Sequence, residues 1–225
     1  MALDIAWRAV LVVAVGYVVG GVPFGVIFGR HVHGVDIQAM GSGATGATNV
    51  YRNLGWKTAL AVGLLDIAKG AVAVGVARFV APASWTQNGA DALAIAAGFA
   101  AMAGHVYSPF LRFRGGKGIS VAAGGIAVIM PWVAVVLVVV FAGTALILRI
   151  VSVGSMLAAF VFPIAILALY PERPVLLLFA VLALPLVLWA HRANIRRLLH
   201  GEEARITIGG RRALVGEHTD GEDRG

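Results

Sequence analysis

The sequence predicts an all-α protein, a polytopic membrane helical bundle of about seven transmembrane helices. Two observations carry this. Of the 225 residues, 60% are hydrophobic and only 13% are charged, with a mean hydropathy of +0.88; soluble domains carry about 25% charged residues. Several apolar runs also reach the length of about 20 residues that a bilayer crossing needs.

The first run, 5–29, resembles a secretory leader only in being N-terminal and apolar. It is too long, and no small-residue cleavage site precedes a polar domain, so it is read as the first span. Segments 57–80 and 90–110 follow as the second and third. The chain is then apolar from Ile119 to Ile150, too long for one helix, with Pro131 inside. Splitting there gives a short helix, 119–130, and a full span, 132–149. The short piece could equally be re-entrant, which protein or a water-filled cavity around it would permit. Segments 152–170 and 174–195 complete the set. Residues 1–200 form one membrane domain, and the polar residues 201–225 read as a disordered tail.

Lys and Arg in the loops set the orientation. One side holds Arg30, Arg52, Lys57, Arg112, Arg114, Lys117, Arg149, Arg192, Arg196 and Arg197; the other holds Arg8, Arg78 and Arg173. The rich side is expected in the cytoplasm, with the N-terminus outside and the C-terminus inside. The net charge of +7 then needs no nucleic acid as partner, since topology and anionic headgroups account for it. The chain has no cysteine, which excludes disulfides, thiolate metal sites and cysteine nucleophiles.

The unusual polar stretches all fall on the basic side: GSGATGATNVYR (41–52), GHVYSPFLRFRGGKGIS (104–120), RIVSVGS (149–155) and HRANIRRL (191–198). In the first, glycines admit close approach to the backbone. Their amides can form an anion nest, with Gly41, Gly43, Ser42, Thr45, Thr48 and Asn49 as neutral contacts and Arg52 as a forked cation. A flexible loop or a small-residue packing motif fits the same composition. The second stretch sets Arg112, Arg114 and Lys117 around Gly115, Gly116 and Gly118 at a helix start, a natural anion site. The positive-inside rule explains the cations but not the glycines. It is not a Walker loop, which would need glycine where Leu111 stands and Ser or Thr where Gly118 stands. In HRANIRRL, His191 and Asn194 share a helix face, either to orient or deprotonate a hydroxyl or as interfacial anchors. His105 reads as structural or capping, and Ser152 and Ser155 as weak candidates.

Asp66 and Lys69, in LLDIAKG, lie inside the second span at a spacing that suits a structural intramembrane ion pair. Acids on the basic side are few: Asp36, Glu202 and Glu203. Without HExxH or an aspartate cluster, a metal-dependent transferase is disfavoured, and the site is expected to need no metal and no cofactor. A transporter for an organic phosphate would need polar residues through to the far face, and the outer half is nearly all apolar. A lipid-binding scaffold would not need His191 with Asn194.

Taken together, GSGATGATNVYRNLG, GHVYSPFLRFRGGKGISVAAG and HRANIRRLLHGEE, with LLDIAKG and VSVGS in the same order, resemble the signature segments of the bacterial acyl-phosphate:glycerol-3-phosphate acyltransferases. The resemblance covers the chain to about Gly201. It implies a multi-pass enzyme of the bacterial inner (plasma) membrane with a cytoplasm-facing site. The implied reaction moves a fatty acyl group from acyl phosphate to the sn-1 hydroxyl of glycerol 3-phosphate, giving lysophosphatidic acid and inorganic phosphate, the first step of phospholipid biosynthesis. By motif, Ser42 and Arg52 take the first segment's hydroxyl and phosphate-binding positions. Lys117 with Gly115, Gly116 and Gly118 takes the phosphate loop, and His191 with Asn194 the third segment's polar pair. One position departs: Ala44 stands where the family usually has asparagine.

Overall fold

The protein's structure, a computed structural model, describes residues 2–206, with side chains from Trp7 onward. The rest of the tail expected to be disordered, 207–225, lies outside the described residues. Among the described residues there is no strand; ten α-helices and two 3₁₀ turns run in order.

Pro23 breaks the first apolar run. It lacks an N–H and cannot continue a helix, so α1 (Ala2–Gly21) gives way to α2 (Phe24–His33). The amides of Val26 and Ile27 restart the ladder on the Pro23 carbonyl, both at 3.0 Å. A left-handed Gly34 (φ 66°) ends α2. The short α3 (Ala47–Leu54) leads into α4 (Trp56–Val80), which carries Asp66 and Lys69. Next come α5 (Gln87–Val106), the glycine-rich basic loop with Lys117, and α6 (Ile119–Ile129). Pro131 then opens α7 (Pro131–Leu148), where the sequence places the split. The bundle ends with α8 (Val151–Leu169), α9 (Pro174–Ala190) and α10 (Arg192–Leu199).

By length and composition, five stretches can cross a membrane: Trp7–His33, Trp56–Val80, Gln87–Leu111, Pro131–Leu148 and Val151–Leu169. A sixth is added if α9 and α10, bent by 60° at His191, count as one. The expected count of about seven is therefore not confirmed among the described residues. The physical reason is α6: its 11 residues span about 16 Å, roughly half the hydrocarbon thickness.

Small residues let the helices touch backbone to backbone. A Cβ on Gly20 would collide with the Ala101 carbonyl, and one on Gly104 with the Tyr17 carbonyl, so α1 lies hard against α5. Gly70 against Val121 and Gly124 against Ile67 seat α6 on α4 in the same way. The main core joins α1 and α4–α9 through Val12, Val74, Leu93, Met130, Phe162, Ile166 and Leu176. A smaller core of Val26, Ile37, Val50, Ala59 and Val62 holds α2 and α3 against α4. It positions the first polar segment.

The candidate active site

The polar segments meet at one end of the bundle. The Lys117 ammonium donates to Asn194 Oδ1, joining the loop before α6 to α10. Asn194 Nδ2 donates to Glu203 Oε1 at 2.6 Å, and Ser152 Oγ, in the first turn of α8, donates to the same oxygen at 2.8 Å. Arg197 Nε closes the set on Glu203 Oε2 at 2.7 Å. Gln38 Nε2, in the turn just before the first segment, donates to the Arg114 carbonyl of the second at 2.7 Å.

Glu203 is the residue that sequence reasoning passed over. It follows HRANIRRL closely, but its place depends on a strap that only tertiary structure reveals. Residues 202–206 fold back over the site instead of leaving it. Glu202 N donates to the Arg197 carbonyl at 2.8 Å, and Ile206 N to the Arg149 carbonyl at 2.7 Å. Arg52 donates to the Ala204 carbonyl at 2.9 Å.

Arg197 pairs directly with Glu203, and Arg52 and Lys117 lie close enough to feel its charge. Burial pushes Lys117 down to about 8; Glu203 opposes this, and Arg197 and Arg52 add to it. Burial also lowers Arg52, Glu203 working against it and Arg197 with it; a guanidinium stays charged regardless. For Glu203, burial raises the carboxyl, but hydrogen bonds from Asn194, Arg197 and Ser152 outweigh it and hold the group below its ordinary value. Arg52 Nε is buried and has no hydrogen-bond partner among the described residues. An orphan donor of this kind is rare in a finished protein interior.

His191 is buried at the junction of α9 and α10. Its Nδ1 lies 2.8 Å from the Val187 carbonyl, which can only accept, so Nδ1 carries the proton. In the neutral ring this leaves Nε2 as an acceptor.

Other expected residues take different parts. Asn49, expected to touch substrate, spends its amide inside its own segment. Its Nδ2 donates to the Ala44, Met40 and Ile37 carbonyls, and its Oδ1 accepts from the Ser42 and Asn53 nitrogens. It shapes the loop that carries Ser42, which lies on the exposed lip. Gly41 and Gly43 turn that loop with positive φ (56° and 70°), and Thr48 sits half-buried in the first turn of α3. The amides of Gly115 and Gly116 are not free for an anion either. They donate to the Val106 and His105 carbonyls at 3.0 and 3.1 Å. No backbone carbonyl among the described residues takes the N–H of Lys117 or Gly118, at the start of α6. An anion held by backbone here would sit from Lys117 onward.

Below the site lies an apolar cavity of about 260 Å³. Met102, Ile119, Ser155 and Val187 line it near the site, and Phe99, Phe162 and Phe179 line it deeper in the bundle. From Ser155 to Phe162 the rise of α8 is about 10 Å. Among the described residues, no three His, Cys, Asp or Glu side chains group as metal ligands would.

A family model described as glycerol-3-phosphate acyltransferase matches residues 10–201. The chain belongs to the glycerol-3-phosphate acyltransferase family. A relative of that name from Chlorobium phaeobacteroides is 38% identical over 89% of this chain and 97% of its own. One from Synechococcus is 38% identical over 91% and 97%. Crystal structures of PlsY (YgiH), an integral membrane glycerol 3-phosphate acyltransferase, share the fold at 34% identity, covering 89% of this chain and 96% of theirs. The TM-score is 0.78 for the glycerol 3-phosphate form and 0.75 for the lysophosphatidic acid form. This family membership fits the all-helical bundle and its apolar stretches.

Proposed function

We propose that the chain acylates glycerol 3-phosphate at its sn-1 hydroxyl, taking the acyl group from acyl phosphate in the bacterial inner membrane, at a site facing the cytoplasm. The hydroxyl oxygen attacks the carbonyl carbon, the bond from that carbon to the phosphate oxygen breaks, and inorganic phosphate leaves. The hydroxyl proton passes to phosphate. The products are lysophosphatidic acid and inorganic phosphate.

The observation that carries the reading is Arg52 Nε, a buried donor with no hydrogen-bond partner among the described residues, near Arg197 and a burial-weakened Lys117. A phosphate oxygen supplies the missing acceptor. The donor is already activated, so the site need mainly hold two anions close and offset their repulsion. Arg52 and Lys117 hold phosphates, helped by the amides from Lys117 to the start of α6. Ser42, Asn194 and the acceptor Nε2 of His191 position the attacking hydroxyl. The apolar cavity takes the acyl chain, which argues against a polar path for a transported solute.

Purified protein should form lysophosphatidate from acyl phosphate and glycerol 3-phosphate, and none from acyl-CoA. Acylation from acyl-CoA alone would overturn the donor assignment; no acylation from either would overturn the reaction.

A further inference from the structure

Asp66 and Lys69, both buried on α4, do more than pair with each other. Lys69 Nζ lies 2.9 Å from Asp66 Oδ1 and donates to the Val22 carbonyl at 2.8 Å, at the break between α1 and α2. It also meets His105 Nδ1 at 3.1 Å. An ammonium has no lone pair to offer, so Nδ1 accepts and the His105 proton sits on Nε2. The cluster of Asp66, Lys69 and neutral His105 carries no net charge, so it does not compete with the nearby site for an anion.

The other edge of that ring faces the loop before α6. A Cβ on Gly116 would collide with His105 Nε2, and one on Gly115 with the His105 carbonyl oxygen. The Gly116 amide donates to that same carbonyl. Ser108 Oγ pins the following turn to the Gly21 carbonyl at 2.6 Å. The glycines next to Lys117 are therefore explained by His105, which lies under them, and not only by a ligand above.

We propose that His105 is a positioning residue of this loop. The Asp66–Lys69 pair holds its ring, as the Nε2-protonated neutral form, against Gly116, and the ring fixes where Lys117 stands. The proposal rests on the reading above that the loop holds a phosphate.

The test is a set of kinetic cycles on the purified full-length chain, with the two phosphate substrates varied separately and thermal unfolding measured alongside. Gly116→Ala should raise KM for the loop's substrate about tenfold, and by less than about threefold when His105→Ala has removed the ring. Gly115→Ala meets the His105 backbone, so His105→Ala should not relieve it. His105→Asn keeps an acceptor for Lys69 but does not reach the loop, whereas His105→Gln reaches it. KM should rise about fivefold in Asn and stay within about twofold in Gln, with kcat little changed in both. A Gly116→Ala effect equal in both backgrounds overturns the proposal. So do His105 variants that lower kcat and unfolding temperature but leave both KM values alone. If Lys117→Ala raises KM while the cycle is additive, the phosphate reading stands and the role of His105 falls. If Lys117→Ala leaves both KM values unchanged, the phosphate reading falls and takes that role with it.

Discussion

Charge is buried at both ends of this bundle, in two different ways. At the end away from the site, Asp91 is fully buried and fully used. Its Oδ1 accepts from Arg78 at 2.9 Å, from Gln87 at 3.1 Å and from Arg173, and its Oδ2 accepts from Arg173 Nε at 2.8 Å. It clamps the end of α4 and the starts of α5 and α9. At the site end, Glu203 is used as fully, but Arg52 Nε has no hydrogen-bond partner among the described residues. A closed cluster holds helices together; a cluster with surplus donors is built to receive something.

Substitutions should separate the two ends. The largest effect expected is at Lys117. Lys117→Ala should lower kcat/KM about 10²–10³-fold, with the unfolding transition close to wild type. Asp91→Asn should do the reverse: a loss of about 3–5 kcal/mol in unfolding free energy, because the two arginines lose their carboxylate. Activity per folded molecule should stay near wild type. Equal activity losses for the two variants would erase the distinction.

The pH profile sharpens the same contrast. Burial pushes Lys117 down to about 8, and in the proposed role it holds phosphate only when protonated. Above that pH, kcat/KM should fall about tenfold per unit, and below it should level until the substrate phosphate protonates near about 6. Lys117→Arg should keep its charge and remove the alkaline fall. Asp91→Asn should leave the profile unchanged.

The smallest effect concerns the strap. Glu203 has its folded value below the ordinary 4.5, so its stabilisation is present above that pH and is lost as pH falls through the folded value. Glu203→Gln should remove this acid sensitivity in a melting series and cost about 1–2 kcal/mol at neutral pH, Arg197 being partly exposed.

Much of this was legible in the sequence where a local rule governs. Pro131 had to divide an apolar run too long for one helix, and it does. Lys117 and Asn194 stand far apart in sequence, yet both belong to polar stretches on the basic side. Helix count was less legible because α6 is apolar but short, and composition does not report length once Met130 and Pro131 end it. The strap was illegible because polarity at 201–206 reads as solvation; it is Asn194, Ser152 and Arg197 that make Glu203 an interior residue, with Arg52 holding the Ala204 carbonyl beside it. The packing role of Gly115 and Gly116 was illegible for a similar reason. Composition shows that a Cβ is missing, not which neighbour requires its absence, and here that neighbour is His105.

The most direct measurement compares Arg52→Ala with Asp91→Asn in one assay: lysophosphatidate formed from acyl phosphate and glycerol 3-phosphate, per folded molecule. Arg52→Ala should retain about 1% or less of wild-type kcat/KM, and Asp91→Asn nearly all of it. Near-normal lysophosphatidate formation by Arg52→Ala would contradict the account, since its unpartnered donor would then not be the phosphate contact on which the proposed reaction depends.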